Sequence, residues 1–381
     1  YFLPTTRMKI VFTGGGSGGH FYPIIAVAEE VLKIAEEKNL LEPRLYYIAD
    51  SPYDARLLYE KGIEFRQTPA GKMRTYFSGA NFLDTIKTTV GIMKAIPQLF
   101  SIYPDVVFSK GGYVSVPTVF AARLLRIPVM IHDSDAVPGR ANLWAAKFAA
   151  RIAVSYPSAA EQFPYPDKIA YTGNPVRAEL MRPARHGAHE FLNLSPDIPT
   201  IFVIGGSQGA QAINNAILEA LPTLVNDFQI IHQVGNNNFD EVSHIAAVAL
   251  DNSPYATRYK PFGYLNDLAM KMAAGAADIV VSRAGSGSIF EIAEWEKPAI
   301  LIPIPEDVSR DQRANAFAYA RSGGAIVIEQ ANLTPHLIAS EIRRVVGDAA
   351  TRQRMAEGAQ KFKRPDAARV IAEELLSLVV A

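Results

Sequence analysis

Two glycine-dense turns carry the residues best suited to hold an anion. The first, Gly14-Gly15-Gly16-Ser17-Gly18-Gly19-His20, follows the apolar run Lys9–Thr13 and leads into an amphipathic segment. Glycine lets the backbone approach a ligand closely. A helix beginning behind such a turn offers unpaired N–H groups at its positive dipole end, and the two together suit phosphate. The pattern departs from GxGxxG with an acid about twenty residues on, because glycine is denser and His20 closes the turn. The second turn, Gly205-Gly206-Ser207-Gln208-Gly209-Ala210, follows Thr200–Ile204 in the same way. There the Ser207 hydroxyl and the amides of Gln208 and Gly209 can donate to phosphate oxygens. A glycine pair, Gly111-Gly112, follows another apolar run and precedes Tyr113. A tight strand-to-helix turn is the plain alternative, but five glycines in the six positions from Gly14 to Gly19 exceed what a turn requires.

Several side chains near these turns can do chemistry. His20 titrates nearest neutral pH and can act as a general base, bind an anion or simply pack at a helix start. Glu291 can accept hydrogen bonds from two vicinal hydroxyls, although Ser288-x-x-Glu291 also spells a capping box. Gln312 and Asn315 lie three apart on a helix and can face one ligand. Arg177, after Pro175, carries the fixed fork of donors that suits phosphate, or is a solvated linker residue. Tyr113 and His132 read as acceptor-side contacts or as hydrogen-bonded wall residues. Asp133-Ser134-Asp135 spells D-x-D, a pattern for Mg²⁺ or Mn²⁺ with a diphosphate. Helix starts and glycine turns stabilise anions without an ion, so neither a metal nor any other cofactor is expected.

The elements that must position these groups form an α/β pattern. Strand candidates in the first half are Lys9–Thr13 and residues 45–48, 105–109, 129–132, 152–154 and 169–172. The second half restarts with Thr200–Ile204, Gln229–Gln233, residues 256–259, Ile279–Ser282, and residues 299–302 and 325–328. Strand–helix alternation favours doubly wound parallel sheets with right-handed crossovers. The break falls between Pro175 and Pro199, a stretch rich in Pro, Arg and His that reads as linker plus a short helix. The expected domains are residues 8–178 and 179–364, with a terminal helix over 365–381 packing back on the first. Two glycine turns at strand C-termini, one per domain, predict sites facing across a cleft.

Composition narrows the function classes. The chain has 381 residues, 49% hydrophobic and 20% charged, with 38 basic against 38 acidic side chains. Length and balance suit two globular domains, and zero net charge gives no global basis for nucleic-acid binding. With no cysteine, disulfide and thiolate chemistry are excluded. No apolar run reaches the roughly eighteen residues of a spanning helix. The best stretch, residues 116–131, is broken by Arg123 and Arg126. Tyr1 to Arg7 reads neither as a signal peptide nor as folded chain, so the fold is expected to begin at Met8.

At this point a family resemblance emerges. Gly15-Gly16-Ser17-Gly18-Gly19-His20, Gly111-Gly112-Tyr113-Val114-Ser115, Gly173-Asn174-Pro175-Val176-Arg177 and Gly205-Gly206-Ser207-Gln208-Gly209-Ala210 resemble motifs of the MurG family within glycosyltransferase family 28. So do Arg283-Ala284-Gly285 with Glu291, and Asp311-Gln312-Arg313-Ala314-Asn315-Ala316. They occur in family order from Lys9 to about Ile328. The resemblance implies a GT-B fold and inverting transfer of N-acetylglucosamine from UDP-N-acetylglucosamine to lipid I, the polyprenyl-diphosphate-linked muramyl peptide of peptidoglycan synthesis. It implies His20, Tyr113 and Glu291 as catalytic residues, with Glu291 on the ribose hydroxyls. It places Ser17, Gly18, Gly19, Asp135, Arg177, Ser207, Gln208, Gly209, Leu265, Ser286, Gly287, Ser288, Ile289, Phe290, Gln312 and Asn315 around the donor. Gly111, Gly112 and His132 fall on the acceptor side. Where many members read His-Glu-Gln-Asn, this chain has His132-Asp133-Ser134-Asp135, so Asp135 stands in for a donor-contacting asparagine.

The resemblance also implies work at the cytoplasmic face of a bacterial plasma membrane. The stretch from Lys72 to Leu83 mixes aromatic, aliphatic and basic residues and suits the anionic inner leaflet, whereas residues 86–100 read as a core-facing amphipathic helix. Rival readings are a glycosyltransferase acting on another lipid such as diacylglycerol, a nucleotide-dependent oxidoreductase using Asp50, and a non-catalytic sugar-nucleotide-binding protein.

Overall fold

In a computed structural model the described residues are 7–72, 80–206, 209–309 and 311–380. The chain divides into two units, residues 1–177 with 364–381, and residues 178–363.

Unit 1 runs β1 (Lys9–Thr13), α1 (Gly18–Glu37), β2 (Arg44–Ala49), α2 (Ala55–Glu60), β3 (Ile63–Gln67), α3 (Ala80–Ile102), β4 (Val106–Ser109), α4 (Val116–Leu124), β5 (Val129–Asp133), α5 (Arg140–Ala145), β6 (Arg151–Val154), α6 (Pro157–Ala160) and β7 (Ile169–Tyr171). Its seven strands lie parallel in the order β3-β2-β1-β4-β5-β6-β7. The order reverses between β1 and β4, so the turns leaving those two strands diverge to opposite faces and open a crevice at their C-terminal ends. Both turns are glycine turns: Gly14 follows β1 closely and Gly111-Gly112 follows β4.

Unit 2 runs α7 (Ala188–Phe191), β8 (Thr200–Ile204), α8 (Gln211–Asp227), β9 (Gln229–Gln233), α9 (Phe239–Ala249), β10 (Tyr259–Phe262), α10 (Asp267–Ala276), β11 (Ile279–Ser282), α11 (Ser286–Trp295), β12 (Ala299–Leu301), α12 (Gln312–Ala320), β13 (Ala325–Val327), α13 (Pro335–Gly347) and α14 (Ala349–Phe362). Its six parallel strands are ordered β10-β9-β8-β11-β12-β13. Here the order reverses between β8 and β11, and the turns leaving them are the second glycine turn and Arg283-Ala284-Gly285. The last helix, α15 (Ala367–Val380), belongs to unit 1. It places Ile371, Ala372, Leu375 and Leu376 in the same core as Ile24, Val27 and Phe108. Burying the two leucines contributes roughly 3–6 kcal/mol, and Arg369 adds an exposed ion pair to Glu37 at 2.7 Å.

Three local expectations change. β3 escaped notice because only Ile63 and Phe65 alternate with charge, which suffices at a sheet edge. The strand expected at 256–259 begins only at Tyr259, since Ala256–Arg258 is a 3₁₀ turn, and Pro261 is tolerated because β10 is also an edge. Several large side chains of residues 86–100 face away from a core. α3 turns Gly91, Ala95 and Leu99 inward and exposes Leu83, Ile86, Val90, Met93 and Phe100. The cause is close packing on α4: a methyl group at Gly91 would lie 3.0 Å from Pro117 and 2.0 Å from the Pro69 carbonyl.

Candidate functional site

In unit 1 the turn after β1 crosses directly over the turn after β4. Gly14 has φ +143°, and a Cβ there would lie 2.8 Å from Lys110 Cβ, so only glycine permits the approach. Tyr47 donates its hydroxyl to the Gly14 carbonyl at 2.5 Å and fixes the turn from below. α1 then begins at Gly18 with Ser17 as cap residue. The Ser17 hydroxyl does not cap the helix; it lies 3.0 Å from His20 Nδ1. With Nδ1 protonated and donating to Ser17, Nε2 is the lone-pair nitrogen. That nitrogen faces the β4 turn, 3.5 Å from where a Gly112 Cβ would stand. Dense packing, then the positive charge of Lys110, lowers the His20 pKa from 6.5 to about 4. The ring still touches solvent, so it feels the first of these causes less than a sealed ring would. Tyr113 lies against Gly16 and is half-buried. Burial, then Asp50 and Asp84, raises its pKa, so its hydroxyl stays a donor.

Beneath these turns sits a residue that sequence reasoning missed. Lys110 is 1% exposed, yet its ammonium is fully engaged. Nζ lies 2.5 Å from His132 Nδ1, donates to Asn174 Oδ1 at 2.9 Å, and donates to the Ser134 hydroxyl. His132 Nε2 faces the Gly173 carbonyl at 3.0 Å, so the ring proton sits on Nε2 and Nδ1 accepts from Lys110. Burial lowers the Lys110 pKa to about 7, against the opposing pull of Asp133 and Asp135. The available signal was a lysine closing a wholly buried strand immediately before two glycines.

Unit 2 presents the companion crevice. Gly205 donates its amide to Gln233 O at 3.2 Å, and Gly209 donates to Gly206 O at 3.0 Å, which curls the turn ahead of α8. Gly209 has φ +76°, and a Cβ there would meet the Val234 carbonyl at 2.1 Å. α8 starts with Ala210 as cap residue and no side-chain cap, so its first amides point into the crevice without a side-chain acceptor at the cap. Across the reversal, Arg283 is held by the Ile302 and Pro303 carbonyls at 3.1 and 3.5 Å, and α11 begins immediately after Gly285. Glu291 and the pair Gly287 and Ser288 are partly exposed on α11. Gln312, at the start of α12, accepts the Ile304 amide at 3.2 Å and holds the loop after β12.

Other expected site residues fall where the fold gives them different work. His132 is fully buried, so it forms the wall under the turns and does not touch an acceptor. Asp133 is consumed by the Gly139 amide at 3.0 Å, Asn142 Nδ2 at 2.8 Å and the Asp135 amide at 3.2 Å, so D-x-D is a turn brace here. Asp135 itself remains partly exposed. Ser288 lies inside α11, whose cap residue is Gly285, so Ser288-x-x-Glu291 is no capping box. Ile289 and Phe290 are 0% exposed and point into the core; adjacency to Glu291 puts them on other faces of the helix. Ser286 is nearly buried. Asn315 is 0% exposed and donates to the Ala284 carbonyl at 3.4 Å, which braces the turn before α11. Leu265 is buried by its side chain. Arg177 belongs to unit 1 and stacks 3.9 Å above the Tyr22 ring. Ser17 and Gly19 are exposed at the α1 start, beside a partly exposed Gly18. Ser207 and Gln208 lie outside the described residues, as do residues 73–79 of the expected membrane stretch.

Comparison with known proteins accords with this geometry. Residues 10–154 match the glycosyltransferase family 28 N-terminal domain, and residues 200–371 match the family 28 C-terminal domain. A Treponema denticola protein named UDP-N-acetylglucosamine–N-acetylmuramyl-(pentapeptide) pyrophosphoryl-undecaprenol N-acetylglucosamine transferase is 36% identical over 98% of this chain and 96% of its own. A Bacillus cereus protein bearing that name with the suffix 2 is 39% identical over 86% of this chain and 88% of its own. In fold, the chain is similar to the MurG crystal structure from Acinetobacter baumannii, with a TM-score of 0.72, 23% identity, and coverage of 98% and 100% of the two chains. A UDP-N-acetylglucosamine 2-epimerase from Neisseria meningitidis shares the fold at a TM-score of 0.66 and 16% identity. The chain thus belongs to glycosyltransferase family 28 and is built on the GT-B fold.

Proposed function

We propose that this enzyme transfers N-acetylglucosamine from UDP-N-acetylglucosamine to the 4-hydroxyl of the muramyl sugar of lipid I, with inversion, giving lipid II. The observation that carries the reading is 36% identity over nearly the full length to a protein named for that transfer, in a chain with helix starts at both strand-order reversals. The donor's ribose lies at Glu291, its uracil near Leu265, and its diphosphate on the Gly205–Ala210 turn and the α8 start. Amides preorganised there stabilise the departing diphosphate as its charge grows. The acceptor lies at the β1 and β4 turns of unit 1. His20 Nε2 accepts the 4-hydroxyl proton as oxygen attacks the anomeric carbon, and the bond to the diphosphate breaks in the same displacement. Asp133 already accepts from three protein donors, which supports reading the D-x-D segment as a turn brace.

The enzyme works at the cytoplasmic face of the membrane, and residues 72–83 touch the inner leaflet. Lys72 and Leu83, the described ends of that stretch, are both exposed. α3 continues from it with exposed Ile86, Val90, Met93 and Phe100 at helical spacing, accompanied by exposed Lys87 and Lys94. No helix among the described residues is long and apolar enough to cross a membrane.

The test is transfer of labelled N-acetylglucosamine from UDP to a lipid I analogue, with diacylglycerol as the rival acceptor and EDTA in a parallel arm. Transfer to lipid I alone, unchanged by EDTA, is expected. Donor binding without turnover on either lipid overturns the reading and makes the chain a sugar-nucleotide-binding protein. His20→Ala should lower turnover by about 10²-fold or more; full turnover with the same pH dependence would remove His20 as the base.

A further inference from the structure

The reaction as described uses His20 but leaves Lys110 without a role, and a buried lysine bonded only to neutral groups is costly to keep. Its stem is pressed against Gly14, the residue that opens the His20 turn, and its own chain continues into Gly111 and Gly112, which His20 Nε2 faces. Its three donors are matched by His132, Ser134 and Asn174, drawn from β5, the turn after it and the loop after β7. A neutral amine keeps two N–H donors and a lone pair, so it would match these three partners only with the Ser134 hydroxyl turned to donate.

We infer that Lys110 is a positioning residue for the transfer reaction: its tethered ammonium, beneath the two glycine turns, sets how readily His20 takes up a proton and clamps the strand ends that hold it. This rests on His20 being the base. The titratable groups facing Lys110 are His20 from α1, His132 and Asp133 from β5, and Asp135 from the following turn. Those facing His20 are Lys110 and His132. Lys110 has its pKa near 7, so it is charged throughout the lower range in which His20 is protonated. Its repulsion is therefore in force when it matters. Burial, the larger cause, and Lys110 together leave a base that stays unprotonated, and so competent, into acid.

The experiment follows the His20 imidazole directly by NMR titration of the full chain, with the resonance assigned by its loss in His20→Gln. Lys110→Met keeps the stem and deletes the charge. Asn174→Asp keeps the lysine and sets a carboxylate against it, which serves if Lys110→Met does not fold. In each folded variant the His20 midpoint should rise toward 6.5, and the acid limb of kcat/KM should rise with it. An unmoved His20 midpoint in the folded variants overturns the proposal, whatever happens to activity. A midpoint that rises while the acid limb stays in place supports the action of Lys110 on His20 and removes His20 as the base, so the two failures are separable.

Discussion

His232 gives a prediction whose magnitude can be worked through. It sits on β9 with 0% exposure, its Nδ1 2.9 Å from the Tyr259 hydroxyl and its Nε2 3.1 Å from Asn214 Oδ1. Both nitrogens are satisfied by a neutral ring that donates from Nε2 and accepts at Nδ1. Burial lowers its pKa from 6.5 to about 3. The unfolded chain therefore binds a proton between those values that the folded chain refuses, and stability falls as pH falls, by about 1.4 kcal/mol per pH unit. Integrated from pH 7 to pH 5, the loss is roughly 2 kcal/mol; to pH 4 it is roughly 3 kcal/mol. His232→Gln removes the titrating group while keeping a donor and an acceptor. Urea unfolding at pH 7, 6 and 5 measures the difference. The chain has two tryptophans, so a Trp144→Phe background leaves Trp295, buried in unit 2 with its indole donating to the Leu180 carbonyl at 2.7 Å, as the reporter. Between pH 7 and 5 the parent should lose roughly 2 kcal/mol more than His232→Gln. Parallel curves, differing by less than about 0.5 kcal/mol, would mean that the folded ring titrates near its ordinary value and would refute the argument.

Three further outcomes are expected. Gly209→Ala forces a Cβ to within 2.1 Å of the Val234 carbonyl at φ +76°. The α8 start must shift, and calorimetry should show UDP binding at least about tenfold weaker; an unchanged Kd would detach that turn from the diphosphate. Glu291→Gln should raise KM for the donor about 10- to 100-fold, from loss of charge-assisted bonds to ribose. Parent and variant should then bind 2′,3′-dideoxy-UDP equally, and unequal binding would place the carboxylate elsewhere. Met93→Glu, on a side chain 69% exposed, should weaken sedimentation with anionic vesicles several-fold while leaving transfer to a water-soluble acceptor intact; unchanged sedimentation would take α3 out of the membrane contact.

The strands were legible because a parallel sheet covered on both faces needs continuous apolar runs, as in Ile10-Val11-Phe12 and Ile201-Phe202-Val203. Edge strands need less, which hid β3 and displaced β10. The glycine turns were legible because their backbone demands exclude other residues. What eluded sequence reasoning was orientation. Ile289 and Phe290 stand next to Glu291 in the chain and on other faces of α11. The inward stripe of α3 opens on the small residues Gly91 and Ala95, so Ile86, Val90, Met93 and Phe100 point the opposite way from the ordinary rule. Lys110 was passed over because a lysine is usually a solvated residue. Only the fold shows it sealed under Gly14 with three acceptors waiting.

The two units use the same turn-and-helix device but charge it differently, and the chemistry proposed for each explains why. A departing diphosphate gains negative charge as its bond breaks, so unit 2 needs dipoles that are already aligned and cannot lose a proton. The amides at the starts of α8 and α11 meet that need, and Arg283 bonds the Ile302 and Pro303 carbonyls through a single nitrogen. A hydroxyl nucleophile poses the opposite problem, because its base must be uncharged before the reaction and charged after it. Placing a cation near a histidine makes the first condition easy and the second hard. Lys110 acts on His20 across the Gly14 and Gly112 backbone and not through a direct hydrogen bond, a separation that weakens the repulsion without abolishing it. On the proposed function the arriving acceptor carries its own diphosphate, and seated near the same turns that negative charge would offset the lysine. On this reasoning His20 is a poor proton acceptor in the empty site and a better one in the filled site, so proton uptake is coupled to the presence of the lipid-linked substrate.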